Sequence, residues 1–212
     1  MEKPISKLAK IRQNGSTQVV QQRASILNAA EKLFLQRGIL NTQIIDIAAE
    51  AGITKPTLYR YFPNRDTLAL EIHIRMMRQI DAVIAPSGHD LTLEGEKKRA
   101  QSMIRNFNQL RNAFRYLGMF DQVYLDNLPE NAQAQWAKSE LASNWAHRKA
   151  QDHADRRAHG KELSVIKNSI IWFLEKLALR GELTWSQSDS MEEDLRIFED
   201  LVMGYFDKLM DA

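Results

Sequence analysis

Five side chains that can bind phosphate or hydrogen-bond to base edges lie within a seven-residue stretch: Lys55, Thr57, Tyr59, Arg60 and Tyr61. They offer an ammonium, a hydroxyl, two phenols and a guanidinium, and such groups contact phosphate oxygens and bases in protein–DNA complexes. Taken singly, exposed residues of these types are usually only solvated surface. Because five of them lie on one short segment, we consider the hypothesis that this segment contacts nucleic acid. The neighbouring elements must then be able to support such a contact.

The segment that carries these residues is predicted to be a short helix. Thr54 is a suitable N-cap, and Pro56 suits the first turn, where a backbone donor would be unused. Leu58 and Phe62 are four residues apart and face inward, and Pro63 stops the helix. The polar side chains therefore occupy the outward face.

Two helices are predicted before it. The first runs from about Thr17 to Arg37 and ends at Gly38, and the second runs from Thr42 to Ala51 and ends at Gly52. The tight turn at Gly52 and a small residue at Ala48 allow the second and third helices to approach each other. Together they have the lengths and turn of a helix-turn-helix, whose last helix projects into a DNA major groove.

The stretch from Ile47 to Arg65 resembles the signature of the TetR (tetracycline repressor) family. An Ile-Ala, an Ala-Gly and a Tyr-x-(His/Tyr)-Phe fall at the family's separations, and with Phe34 and Gly38 the resemblance covers about residues 23 to 72. The C-terminal two-thirds is similar to the family only in length and helical character. The resemblance implies a ligand-responsive transcription regulator, most simply a repressor that a small molecule releases from a palindromic operator.

The resemblance also implies roles for single residues. Lys55 and Thr57 would read base edges or nearby phosphates, and Pro56 would make apolar contact. Tyr59, Tyr61 and Arg65 would bind the phosphate backbone. The full set of predicted DNA-binding residues is Thr42, Gln43, Thr54, Lys55, Pro56, Thr57, Tyr59, Arg60, Tyr61 and Arg65. Ile45 departs from the family, because relatives often have a polar or basic contact residue at that position, and base reading from the second helix is left open.

Charge and composition agree with this interpretation. Residues 1–66 contain ten Lys and Arg against five Asp and Glu, a net charge of about +5. Because the whole chain has a net charge of +2, the remaining residues carry about −3. The basic end is where a polyanion would dock. The absence of cysteine excludes disulfides and thiolate chemistry, and no signal peptide or apolar run of membrane-spanning length is visible. A cytoplasmic location with no membrane contact is expected.

The predicted fold is all-α, with no pattern of β-branched alternation. Residues 1–16 are expected to form a flexible basic arm, either a disordered tail or a DNA contact, residues 17–66 the helix-turn-helix domain, and residues 67–212 a helical effector-binding and dimerisation domain. A fourth helix from Asn64 to about Ala85 would link the domains and end before a break at Pro86-Ser87-Gly88. Further helices are expected at about Leu93–Asn112, Pro129–His159, Leu163–Arg180 and Asp189–Met210.

The body is expected to bind a small, largely apolar or aromatic effector and to pair with a second copy through its last two helices. Large or soft side chains that could line a pocket, although each could equally be core, are Met103, Phe107, Leu110, Phe114, Met119, Phe120, Trp136, Trp145 and Trp172. Stripes that fit either a homodimer seam or the protomer's own core include Ile166, Ile170, Phe173, Leu177, Phe198, Leu201, Val202 and Tyr205.

Competing functions receive less support. There is no Gly-rich phosphate loop, zinc-binding His-Glu-x-x-His or nucleophile elbow, so the chain is not expected to be an enzyme or to carry a cofactor. His147, His153 and His159 are six residues apart and point in different directions, which argues against a metal site. An effector-independent regulator and an activator both remain compatible with the sequence.

Overall fold

The computed structural model describes residues 7–85, 92–124, 134, 154–180 and 188–211, and the ordered elements in these ranges are helices. We number them α1 Lys7–Arg37, α2 Ile44–Glu50, α3 Lys55–Tyr61, α4 Arg65–Ile84, α5 Leu93–Arg105, α6 Phe107–Tyr124, α7 Ala154–Arg180 and α8 Ser188–Met210. The chain divides into two compact units, Met1–Ile72 and His73–Ala212. The all-α prediction is confirmed for the described ranges.

The first unit is held by a small apolar core between its helices. Phe34, Ile47, Leu58 and Phe62 have no exposed surface. Burial of such side chains contributes about 1.5–3 kcal/mol each, so the short helices are stabilised by packing more than by their own propensity. This core fixes the two helices of the helix-turn-helix against α1.

Two glycines end helices as predicted. Gly38 and Gly52 have φ values of 84° and 67°, a region that side-chain-bearing residues rarely adopt. The backbone N–H of Gly38 bonds to the carbonyl oxygen of Phe34 at 2.8 Å, and that of Ile53 reaches back to the carbonyl oxygen of Ala48 at 2.9 Å. The tight turn between α2 and α3 therefore depends on Gly52.

Helix starts differ from the prediction in two places. α1 begins at Lys7, about ten residues before the expected Thr17, because residues 5–37 contain no proline and a single Gly15 costs a helix only about 1 kcal/mol. The expectation of an unstructured arm is therefore wrong for residues 7–16. α2 begins at Ile44 after an extended Gln43, and Thr42 stays in the preceding turn.

The predicted caps of α3 and α4 are confirmed. The Thr54 hydroxyl accepts from the backbone N–H of Thr57 at 3.3 Å. The Asn64 side-chain oxygen accepts from the backbone N–H of Thr67 at 2.8 Å. Each cap satisfies one backbone donor that the first helical turn leaves without a partner.

The second unit contains the C-terminal part of α4 and the helices α5 to α8. The single helix expected from Leu93 is divided at Asn106, whose φ of −94° and ψ of 16° depart from helical values and whose side chain donates to the carbonyl oxygen of Ser102 at 2.8 Å. α6 packs against α7, with Gly118 allowing a close approach: a Cβ atom there would lie 2.7 Å from Cδ1 of Leu179.

Polar contacts join α5 to α8 in the same unit. Glu199 accepts from Arg105 at 2.7 Å and from Gln101 at 2.9 Å, and Lys97 pairs with Asp207. α7 is kinked at His159, whose φ of −122° is not helical. The predicted break at 86–88 and most of the predicted helix from Pro129 to His159 lie outside the described residues. None of the described helices is long and apolar enough to cross a membrane.

Candidate nucleic-acid interface

A shallow, open crevice lies on the surface of the first unit, where the starts of α2, α3 and α4 meet. Its lining comprises Leu40, Thr42, Gln43, Ile44, Lys55, Tyr59, Pro63, Asn64, Arg65 and Asp66. Five of the predicted DNA-binding residues line it, namely Thr42, Gln43, Lys55, Tyr59 and Arg65. They come from the α1–α2 connection, α3 and α4, and only the tertiary fold brings them together. The crevice therefore has cations and hydrogen-bond donors on more than one wall.

α3 is oriented by what it buries. Leu58 is fully buried, whereas Lys55, Pro56, Tyr59 and Arg60 on the remaining faces are exposed. Thr57 and Tyr61 are half-buried. The helix thus presents its polar groups to solvent on the side away from its anchor.

Two of these side chains support each other. The Lys55 ammonium lies 5.8 Å from the centroid of the Tyr59 ring, which is within the range of a cation–π contact. Such a contact at an exposed site is worth about 0.5–1 kcal/mol and restricts the lysine's rotamers. The ammonium is thereby held at the mouth of the crevice, where an anion can reach it.

Arg65 is positioned by the backbone of the α1–α2 connection. Its Nη1 donates to the carbonyl oxygen of Leu40 at 3.1 Å, and within the described part of the chain its Nε has no hydrogen-bond partner. Gln43 is exposed, and its side chain makes no capping hydrogen bond to α2. Both residues retain donors for a group outside the protein, such as a phosphate oxygen.

Thr42 does not fit its predicted role. Its side chain is only 1% exposed, and the hydroxyl donates to the carbonyl oxygen of Gly38 at 2.8 Å and lies 3.4 Å from that of Leu33. Because the hydroxyl has one proton and this proton satisfies the end of α1, it is not available for a phosphate. The expectation that Thr42 donates to DNA is therefore wrong. The Thr54 hydroxyl oxygen accepts from the backbone N–H of Thr57 to cap α3 and lies 2.9 Å from Oγ1 of Thr57, where either hydroxyl can donate.

Ion pairs connect α1 to α2 and to α4. Lys32 of α1 contacts Glu50 of α2 at 2.6 Å, and Arg37 contacts Asp46 at 3.2 Å. Arg23 pairs with Glu71 of α4 and also lies 4.8 Å above the Phe62 ring. The sequence analysis missed these contacts, since opposite charges on separate helices do not show which of them will meet.

The predicted effector residues have mixed positions in the second unit. Phe107, Leu110, Phe114 and Phe120 are buried, and Met103 and Met119 are half-buried. Trp172 is 62% exposed, so it does not pack among these buried side chains. It lies on the face of α7 turned away from the buried Ile170 and Leu174. Trp136 and Trp145 lie outside the described residues.

The predicted dimer residues divide in the same way. Ile166, Ile170, Leu177 and Val202 are buried within their own unit, which favours for these four the alternative that they belong to the protomer's own core. Phe173 and Phe198 are half-buried and stack on each other at 3.9 Å. Leu201 and Tyr205 are exposed and remain on the outer face of α8.

Further apolar residues share these outer faces, although they were not predicted. Val165 and Trp172 on α7 are 64% and 62% exposed, and Ile197 and Leu201 on α8 are 49% and 67% exposed. Gly204 on α8 has no atom within 4 Å of the place where a Cβ would lie. Each of the last two helices therefore has one face in the core and a second apolar face in solvent.

Buried ionisable groups of the second unit were also missed. Burial raises the pKa of Glu175 to about 7, with the nearby Asp121 carboxylate acting in the same direction. Burial lowers the pKa of His73 to about 4, and its ring lies 4.2 Å from that of Phe120. For Glu96, burial raises the pKa, but the attraction of Lys167 and Arg99 outweighs it and the net shift is downward.

The comparisons with known proteins agree with this geometry. Residues 26–72 match the family described as bacterial regulatory proteins, tetR family. The chain is 35% identical over 60 residues to the HTH-type transcriptional regulator EthR of Mycobacterium tuberculosis and 44% identical over 46 residues to TtgR of Pseudomonas putida. These matches span 28% of each chain for EthR and 22% of each for TtgR, so these two relatives are matched over less than a third of their length.

The similarity of fold extends further than the similarity of sequence. A TetR family transcription regulator from Marinobacter aquaeolei VT8 superposes with a TM-score of 0.58, covering 87% of this chain and 97% of the other at 20% identity. At that identity the likeness shows the fold alone. The fold is therefore a helix-turn-helix domain followed by a helical C-terminal body. The resemblance in sequence to the TetR family lies in the N-terminal domain, where residues 26–72 match the family model.

Proposed function

We propose that this protein binds double-stranded DNA as a homodimer and represses transcription until a small molecule bound by the second unit releases it. The observation that carries the proposal is the exposed edge of α3, with Lys55 held over Tyr59 beside Arg65 in a crevice open to solvent. A groove of duplex DNA offers phosphates and base edges to such a set of donors. Catalysis is not part of the proposal, because the related proteins are named as regulators.

In this proposal α3 enters the major groove. Lys55 and Thr57 contact base edges or adjacent phosphates, Pro56 makes apolar contact, and Tyr59, Arg60 and Tyr61 bond to the backbone. Gln43 and Arg65 hold phosphates from the starts of α2 and α4. Thr54 and Thr42 act through the fold, by capping α3 and by closing the turn after α1.

The homodimer is proposed to form through the exposed apolar faces of α7 and α8. Trp172 and Leu201 together with Val165, Ile197 and Tyr205 are side chains that a soluble monomer would ordinarily bury. An open Gly204 would let a partner helix approach closely. Two-fold pairing of identical faces would present two copies of α3 to a palindromic operator.

The effector is proposed to be small and largely apolar or aromatic. Aromatic and methionine side chains concentrate on α6, where Phe107 and Phe114 stack at 6.1 Å and Met119 is half-buried. α4 is one continuous helix that begins at Arg65 in the crevice and ends at Ile84 in the second unit. A ligand that favours one position of this helix would change DNA affinity by its differential binding to the two states. We further propose that the protein acts in the cytoplasm, where the DNA is.

DNA binding is tested by selecting fragments of the source genome and measuring affinity by fluorescence anisotropy at several salt concentrations. Lys55→Ala is expected to weaken binding by about tenfold or more and to reduce the magnitude of the salt slope by about 2, one charge for each protomer of a dimer. The matched control is Lys161→Ala, which removes an exposed lysine from α7. Equal affinity and equal slope for both variants would contradict the placement of α3 on DNA.

Effector response is tested separately. A gel-shift titration of the selected fragment is run with and without small-molecule extract of the source cells. Release by the extract supports a ligand-responsive regulator. Binding that no extract changes supports an effector-independent regulator, and a reporter gene placed behind the fragment distinguishes repression from activation.

A further inference from the structure

Ile45 is an apolar side chain in a position where solvent exposure is unfavourable. It lies in the first turn of α2 and is 56% exposed, whereas its neighbours Ile47 and Ala48 are at most 2% exposed. Ile47 and Ala48 are the residues that pack the seven-residue α2 against the core. Ile45 lies outside the buried core of the unit.

The flank of α2 that carries Ile45 follows from the partners of the other flanks. Asp46 and Glu50 face α1, where they pair with Arg37 and Lys32. Ile47 and Ala48 face the core. Ile45 and Ala49, one helical turn apart, therefore lie on a third flank, and both are exposed to solvent.

This flank adjoins the crevice described above. The preceding residues Gln43 and Ile44 line the crevice, whose charged lining residues are Lys55, Arg65 and Asp66, two cations against one carboxylate. An apolar surface bordered by cations does not favour a second copy of this chain, because two such faces repel each other. It favours an anionic partner with an apolar group set among its charges.

Duplex DNA has such a group in one place. The major groove displays hydrogen-bond donors and acceptors on all four bases, and its apolar feature is the C5-methyl group of thymine. A phosphate would gain nothing from an isoleucine. Insertion of α3 into the groove brings the beginning of α2 to the edge of the groove, where a branched aliphatic side chain can cover a methyl group.

We infer that Ile45 contacts the C5-methyl group of a thymine in each half of the operator and makes operator choice depend on that methyl. The inference rests on the proposed DNA binding and specifies one determinant of its sequence preference. Burying one methyl group is worth about 0.8 kcal/mol, which is about fourfold in affinity, and the two half-sites of a dimer together give about fifteenfold. The contact therefore discriminates between sequences without dominating total affinity.

The test uses a duplex selected from the source genome by the wild-type protein. Thymines are replaced by deoxyuridine one symmetric pair at a time, which removes only the methyl group and keeps base pairing. At one pair of positions the wild type is expected to lose about fifteenfold in affinity. Ile45→Ala is expected to bind the unmodified duplex more weakly by a similar factor and to be insensitive to deoxyuridine at that pair.

Val20→Ala is the matched control, since Val20 is a 67% exposed aliphatic residue on α1. This variant should retain the wild-type response to deoxyuridine. Circular dichroism checks that Ile45→Ala is folded, which is expected because the side chain is exposed and alanine favours helix.

The outcomes separate this inference from the proposed function. Wild-type protein that binds no genomic fragment at low salt overturns both. Wild-type protein that binds its fragment, but with no thymine pair at which deoxyuridine and Ile45→Ala are coupled, overturns the inference alone. A selected operator without thymine in symmetric positions overturns it as well.

Discussion

Replacing Glu175 by glutamine should stabilise the protein, and by an amount that grows with pH. Glu175 lies on α7, is 6% exposed, and faces the neighbouring Asp121 carboxylate of α6. Burial and this second carboxylate raise its pKa to about 7, against an ordinary value of 4.5. The charged form is therefore unfavourable in the folded protein and unpenalised in the unfolded chain.

The sign of the effect follows from proton binding. Below pH 4.5 the carboxyl is protonated in both states and costs nothing. As pH rises from 4.5 to 7 the unfolded chain loses its proton first, so stability falls, and above pH 7 the full difference applies. With these two pKa values the wild type loses about 2.5 kcal/mol of unfolding free energy between pH 5 and pH 8 from this one group.

The assay is urea unfolding followed by circular dichroism at pH 5 and pH 8, with all proteins at the same concentration because a dimer's stability depends on it. Glu175→Gln should gain about 2 kcal/mol more over the wild type at pH 8 than at pH 5. The comparison between pH values cancels the constant effect of burying an amide. The control Glu192→Gln alters an exposed carboxylate of α8 and should show no such difference. An equal gain at both pH values for Glu175→Gln would refute the reasoning.

Three further predictions concern other parts of the chain. Leu201→Asp should leave the helical content unchanged and shift a micromolar sample from dimer to monomer by light scattering, since the side chain is 67% exposed within the protomer; an unchanged dimer would place the interface elsewhere. Thr42→Val should lower unfolding free energy by about 1 kcal/mol, because the carbonyl oxygen of Gly38 loses its donor, with little change in DNA affinity of the folded protein; a large loss of affinity at full stability would restore Thr42 as a DNA contact. The wild type should lose about 2 kcal/mol of unfolding free energy between pH 7 and pH 5 because His73, with a pKa of about 4, stays neutral in the folded protein while the unfolded chain takes up a proton. His73→Phe should not show this loss, and parallel pH profiles of the two proteins would contradict the prediction.

Local features of the first unit could be predicted from sequence because each depends on residues close together in the chain. Gly38 and Gly52 end their helices with positive φ, and Thr54 and Asn64 cap the next two. The inward spacing of Leu58 and Phe62 decided which face of α3 remains exposed. The family signature follows from the same local demands, which is why it is readable without a structure.

Predictions were wrong where a residue had two possible partners. Thr42 carries a hydroxyl that suits phosphate, yet the fold places a backbone carbonyl oxygen closer to it. The basic segment at residues 7–16 lacked apolar periodicity, yet it continues α1 as helix. In both cases polarity alone did not decide whether the protein or the solvent would supply the partner.

The sequence by itself determined that the chain is helical and that a helix-turn-helix lies near its beginning, because periodicity, caps and stops are local. Only the tertiary structure decided that Ile170 and Leu177 are core, whereas Trp172 and Leu201 are exposed. An apolar stripe shows which face of a helix avoids water, but the same stripe can be buried by a neighbouring helix or left for a second chain. The choice between these depends on contacts between residues far apart in the sequence, and those exist only once the chain has folded.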